Sequence, residues 1–233
     1  MIKFTFEEKD EFRPQFKDEE YVERHRILDK IECFASTWYY SMYSPNPTHP
    51  KYLNILKNDK KTYPPACLSK AKDDLKDQIS ETLPNIIEYL NRPIVICTVP
   101  RAKIENYYAE EQLYFKLCIS EYIRSLNNKN IEDGTTYIER TADTKTTHFG
   151  HRYMSAMGGD GSTPYFGIAK DTCTFNENKL KDKNILLIDD IYTESVNIDE
   201  DFLLTLHKIG VSSLTFYAIA YTHNRQRNKI EEI

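Results

Sequence analysis

The chain has 233 residues, 40% of them apolar, with a net charge of −5 and a pI near 5.7. That length suits one α/β domain with an appended segment, or two small domains. The acidic balance argues against general nucleic-acid binding, which needs basic patches facing phosphates, and no apolar run approaches the ~20 residues that span a bilayer. The start, "MIKFTFEEKDEF", has no apolar core of a secretory signal. Five scattered cysteines form no CxxC pair, which argues against a zinc ribbon and predicts free thiols in a reducing cytoplasm.

In chain order, residues 1–17 are charged and aromatic without a clear period. From Glu19 to Met42 the apolar positions Tyr21, Leu28, Ile31, Ala35, Trp38 and Met42 keep helical spacing and predict one long helix. The three prolines of "SPNPTHP" end it. A second helix is predicted over about 68–90, through Ala71, Leu75, Ile79, Leu83 and Ile87, with Pro84 kinking or splitting it.

The pattern changes at Pro93. "PIVICTV" is a short β-branched run, as expected of a strand buried on both faces of a parallel sheet. "PRAK" reads as a loop and about 107–126 as a helix. "TYIER" (Thr136–Arg140) reads as a strand leading into a polar segment, Thr141–Thr163. "YFGIA" reads as a further strand, followed by a strand at Ile185–Ile188, a helix over about 198–209, a strand at Ser213–Tyr221 and a polar tail. Strands alternating with helices imply a parallel sheet with right-handed crossovers. Ligands of such sheets lie beyond the carboxyl ends of the strands.

The most informative stretch is "NILLIDDIYTESVN", Asn184–Asn197. Asp189 and Asp190 follow a buried strand, pointing to opposite sides by strand alternation. They could accept hydrogen bonds from two ribose hydroxyls, directly or through Mg²⁺, which takes carboxylate, water and phosphate oxygens. Tyr192, Thr193 and Ser195 then bring hydroxyls to a helix N-terminus, a place that suits a phosphate. The alternative is a plain strand-to-helix turn whose acids stabilise the helix start.

"ILLIDDIYTESVN" resembles the phosphoribosyl-pyrophosphate (PRPP) signature of type I phosphoribosyltransferases, nearest to the ComF-type subgroup. "VICTVPRAK" resembles that family's first core strand and pyrophosphate loop, and "YIERTADTKTTHFGHRYM" its mobile catalytic loop. The resemblance covers about 92–222. It implies a three-layer α/β fold with a mostly parallel sheet, preceded by a helical segment (1–91, a hood or an appended domain) and followed by a polar tail (223–233). By the resemblance, Asp189 and Asp190 bind the ribose hydroxyls and a Mg²⁺ cofactor. Thr193, Glu194, Ser195, Val196 and Asn197 surround the 5′-phosphate. Arg101, Ala102 and Lys103 approach the pyrophosphate. Arg140, Lys145, His148 and Arg152 are the candidates to neutralise charge as pyrophosphate leaves, with His148 and Arg152 grouped with the acid pair as catalytic.

The loop departs from the family pattern "DDVxTTGxT". Glu194 stands at the second Thr, Ser195 at the Gly and Asn197 at the last Thr. Serine lacks the backbone freedom of glycine. Asp199, Glu200 and Asp201 crowd the first turn of the next helix, and one carboxylate at ~4 Å offsets a helix dipole worth roughly 0.3–1 kcal/mol. Asn197 with Glu200 also forms a candidate capping box, "NIDE". His148 and His151 lack further ligands for a metal. Two expectations follow: a Mg²⁺-dependent transferase using PRPP or a related ribosyl phosphate, or a nucleotide-binding regulator of the same fold with weakened catalysis. The second would act within a multi-protein system. Either expectation is compatible with a homo-oligomer or a protein partner.

Overall fold

The computed structural model describes residues 1–6, 19–40, 46, 49–57, 63–145, 165–193, 196–223 and 231–232. Two apolar runs form the centre of the sheet: β3 (Ile94–Thr98) and β7 (Asn184–Tyr192). They pair in parallel from Val95↔Ile185 to Thr98↔Ile188. β4 (Ile131–Asp133) lies on the far side of β3, and β8 (Ser213–Thr222) on the far side of β7, both parallel. β2 (Glu32–Tyr39) continues the parallel set beside β8. β1 (Ile2–Phe4) then turns antiparallel, with the two-residue β9 (Glu231–Glu232) at its edge. The order is β4-β3-β7-β8-β2-β1-β9. β5 (Ile138–Arg140) and β6 (Cys173–Phe175) form a separate antiparallel pair.

The sheet is covered on both faces. On one side α3 (Pro65–Leu90) and α4 (Tyr114–Ser125) bury Leu75, Ile79, Leu83, Phe115 and Ile119 against Ile96, Leu186, Ile188 and Tyr217, with Leu53 and Leu56 of α2 (Lys51–Leu56) beside them. On the other side α7 (Ile198–Ile209) buries Phe202, Leu203 and Leu206 against Cys97, Leu187, Phe216 and Ala218. Leu28 of α1 (Glu19–Leu28), Ala169 of α5 (Ile168–Thr172) and Leu180 of α6 (Glu177–Leu180) complete that layer. The result is the three-layer α/β arrangement with a mostly parallel sheet. No helix among the described residues is long and apolar enough to cross a membrane.

The N-terminal third differs from its sequence reading. The single helix expected over Glu19–Met42 is α1 followed by strand β2. Cys33, Phe34 and Ala35 are all buried, because β2 lies inside the sheet with helices on both faces. Such a strand shows no alternation, so its apolar residues can mimic a helical period. Residues 1–91 thus supply two strands and an outer layer. α3 is not split: it runs through Pro84 as one helix and ends in the left-handed Asn91.

Two further readings change. The helix expected over 107–126 begins as 3₁₀ turns at Glu105–Tyr107 and Glu110–Leu113 and becomes α4 only at Tyr114. "YFGIA" is a turn into α5, not a strand. Buried Asp201 accepts the N–H groups of Gly167 and Ala169, each at 2.7 Å, and Gly167 takes φ 96°. A distant carboxylate and one left-handed glycine outweigh local β-propensity here.

Candidate functional site

The chain crosses from β3 through α4 to β4 on one side, then returns past β3 to β7 on the other. The β3/β7 junction is therefore the topological switch point, where open α/β sheets leave a crevice at their carboxyl ends. The amide of Val99 donates to Ile188 O at 3.0 Å, so "PRAK" departs directly beside the acidic pair.

Asp189 and Asp190 are not at the solvent boundary. β7 continues to Tyr192, and the two aspartates are 8% and 4% exposed. Their shared partner comes from the N-terminal segment. Lys57, the residue that closes α2, places Nζ 3.0 Å from Asp189 Oδ1 and 2.9 Å from Asp190 Oδ1. Asp189 Oδ1 also accepts the Asp190 amide at 2.8 Å. Burial pushes the Asp189 carboxyl up to about 6, with Lys57 opposing the rise. Asp199, at the start of α7, is hydrogen-bonded to Asp189, and burial together with that neighbour pushes it well above the carboxylate range. Lys57 is the counter-charge of the two β7 carboxylates, and Asp199 joins them through its hydrogen bond to Asp189.

Mg²⁺ was expected on the aspartate pair. A magnesium ion needs oxygens at about 2.0–2.1 Å in octahedral array. On the same Oδ1 atoms it would stand within about 5 Å of Nζ, a repulsion of roughly 7 kcal/mol at an effective dielectric of 20. The pair as arranged does not fit that ion. Among the described residues no group of three or more His, Cys, Asp or Glu side chains is arranged to hold a metal.

The expected phosphate loop is described in part. Glu194 and Ser195 lie outside the described residues, as do His148, His151 and Arg152. Thr193 shares a hydroxyl hydrogen bond with Thr222 at 2.6 Å, and the Val196 amide donates to Thr193 O at 3.0 Å. Asn197 enters α7 with φ 61° and makes no cap hydrogen bond from its side chain. The "NIDE" box is absent, because its members are engaged elsewhere. Asn197 Oδ1 accepts Arg24 of α1, whose guanidinium also lies 4.3 Å over the Phe166 ring, and Glu200 Oε1 accepts the Tyr192 hydroxyl at 2.9 Å. Tyr192 itself is core, stacked 5.1 Å from Phe4. Asp199, Glu200 and Asp201 all turn inward and are buried.

Beyond β3 lies a recess lined by Thr98, Arg101, Lys103, Lys116, Thr135 and Arg140, among others. Its arginines are committed to the main chain. Arg101 donates to Leu56 O at 2.9 Å and to Gln112 O, with its guanidinium 4.2 Å over Tyr108. Arg140 donates to Arg101 O at 2.9 Å, to Pro100 O at 3.4 Å and to the Thr172 hydroxyl. Ala102 O accepts both the amide (2.7 Å) and the hydroxyl (3.1 Å) of Thr144. Lys103 Nζ stands 3.6 Å from Asp143, and Lys116 pairs with Glu105. Lys145 is half-buried at the last described position of this segment.

The structure therefore brings Asp189, Asp190, Thr193, Asn197 and the 101–103 loop to one edge. Two residues were missed in the sequence: Lys57 and Arg24. Each lies far from "DDIYTESVN" in the chain, and one meets each half of it. No local spacing marks either residue. No family model matches this chain, and no curated protein matches it.

Proposed function

We propose that this chain binds a ribosyl phosphate or nucleotide at the β3/β7 edge, as a phosphoribosyltransferase-like domain whose transfer chemistry is weakened. One observation carries the reading: two adjacent carboxylates, buried in β7 at the switch point, are kept as an ion pair by Lys57. Burying two such charges is expensive in a fold that could place apolar residues there, and a vicinal diol is a ligand that two adjacent carboxylates can grip. Weakened transfer follows from the arginines, which spend their N–H groups on the main chain rather than on a departing pyrophosphate.

A second reading, ribosyl transfer to a nitrogen acceptor with loss of pyrophosphate, draws on the cationic recess next to the pair. Transfer of that kind relies on electrostatic help at the leaving group. Calorimetric titration with PRPP decides between them, repeated with Asp189→Asn/Asp190→Asn. The proposal expects binding by the native chain, its loss in the double variant, and no pyrophosphate release across a panel of bases. Release with any base would favour transfer, and absence of binding would defeat both readings.

A further inference from the structure

We propose that Lys57 is the resident cation of the acidic pair, taking the place of a divalent ion, so that the site accepts its ligand without Mg²⁺. The ligand rests on the ribosyl-phosphate reading above; the metal behaviour does not.

Four observations carry it. The ammonium is nearly equidistant from two carboxylate oxygens, at 3.0 and 2.9 Å, as a shared counter-ion would be. It is buried, and sits 4.8 Å from the centre of the Phe115 ring. It is held in place: the Lys57 amide closes α2 on Leu53 O at 3.0 Å, and Arg101 fastens the neighbouring Leu56 carbonyl at 2.9 Å. Arg101 is thus a positioning residue for Lys57. Finally, among the described residues two of the three ammonium N–H bonds are used on the carboxylates, which leaves one for a ligand oxygen. Burial alone would lower the lysine pKa, but Asp189 and Asp190 outweigh it and hold the group charged. A fixed ammonium also carries a single charge where a divalent ion carries two. A site built this way suits diol and phosphate oxygens that arrive without a metal.

The test is a Mn²⁺ titration of the native chain and of Lys57→Gln, read by the paramagnetic resonance of free Mn²⁺ and by melting temperature. The native chain should bind no stoichiometric Mn²⁺ and its melting temperature should not move. Lys57→Gln should bind one Mn²⁺ at least tenfold more tightly than the native chain, gain melting temperature with it, and lose both on adding Asp190→Asn. Stoichiometric Mn²⁺ binding by the native chain that Asp190→Asn abolishes would overturn the proposal, as would a folded Lys57→Gln that gains no site.

If Lys57→Gln does not fold even with Mn²⁺, ribose 5-phosphate titrations of the native chain decide alongside its own Mn²⁺ titration. Affinities within twofold in chelator and in Mg²⁺ support the proposal, and a tenfold gain with Mg²⁺ overturns it. Failure to bind ribose 5-phosphate in either condition counts against the ribosyl reading alone, and the native Mn²⁺ titration then decides the role of Lys57.

Discussion

Asp199 carries a cost that depends on pH. Its carboxyl is buried beside Asp189, and burial together with that neighbour raises its pKa well above the ordinary value of 3.8 that it has in the unfolded chain. A raised folded pKa gives stability that is fully present below the unfolded value and is lost as pH rises towards the folded one. Asp189, raised to about 6, adds a smaller loss over the window from about 4 to 6. Asp199→Asn keeps a donor for Asp189 and removes the ionisation cost. Urea unfolding should show the variant more stable than the native chain at pH 7, with the gain vanishing near pH 4. Thiol reactivity gives a second residue-scale prediction. Cys67 is exposed and the other four cysteines are buried, so Ellman's reagent should titrate one thiol in the native state and five after denaturation. The aspartate pair was legible because two acids closing an apolar run break the local pattern. Lys57 was not, because it reaches Asp189 from 132 positions away and looks like any helix-terminal lysine.

Elements are fixed to one another by a few committed groups. Arg101 ties the end of α2 to the loop after β3 through Leu56 O and Gln112 O. Arg101→Met leaves two carbonyls without that donor and should cost about 1.5–3 kcal/mol, with faster amide exchange at Lys57. Gly134 closes the turn after β4, its amide 2.9 Å from Ile96 O. A Cβ there would meet Val95 Cγ1 at 2.5 Å and Cys97 Sγ at 2.9 Å. Gly134→Ala should therefore lower the melting temperature by an overpacking cost of about 1–3 kcal/mol. α7 and β8 were legible nearly end to end, α7 because its apolar period stops at left-handed Gly210, whereas β7 was legible only at its apolar start and runs on past the aspartates to Tyr192. α5 was not, because Asp201 sets its start from across the fold.

At the scale of the molecule, the segment before Pro93 is built into the sheet and its layers as well as supplying Lys57. It contributes β2 between β8 and β1, and α3 across one face of the sheet. A fragment of residues 92–222 would expose Ile96, Leu186, Ile188 and Tyr217 and leave the β8 edge unpaired. That fragment should lack the dispersed amide proton spectrum and the cooperative melting of the whole chain; a cooperatively folded fragment would contradict this account. The parallel class of the sheet was legible from alternating elements in the second half of the chain. Membership of β2 was not, because its partner lies at the other end of the sequence.

That pairing has a consequence for synthesis. Glu32 pairs with Thr215, 183 residues later. At about 5–20 residues per second, the β2 segment waits on the order of ten to forty seconds on the ribosome before its partner is made. For that interval Cys33, Phe34 and Ala35 have only the three-residue β1 to pair with, so nascent chains should engage holdase chaperones most strongly while residues 32–39 are out and β8 is still to come.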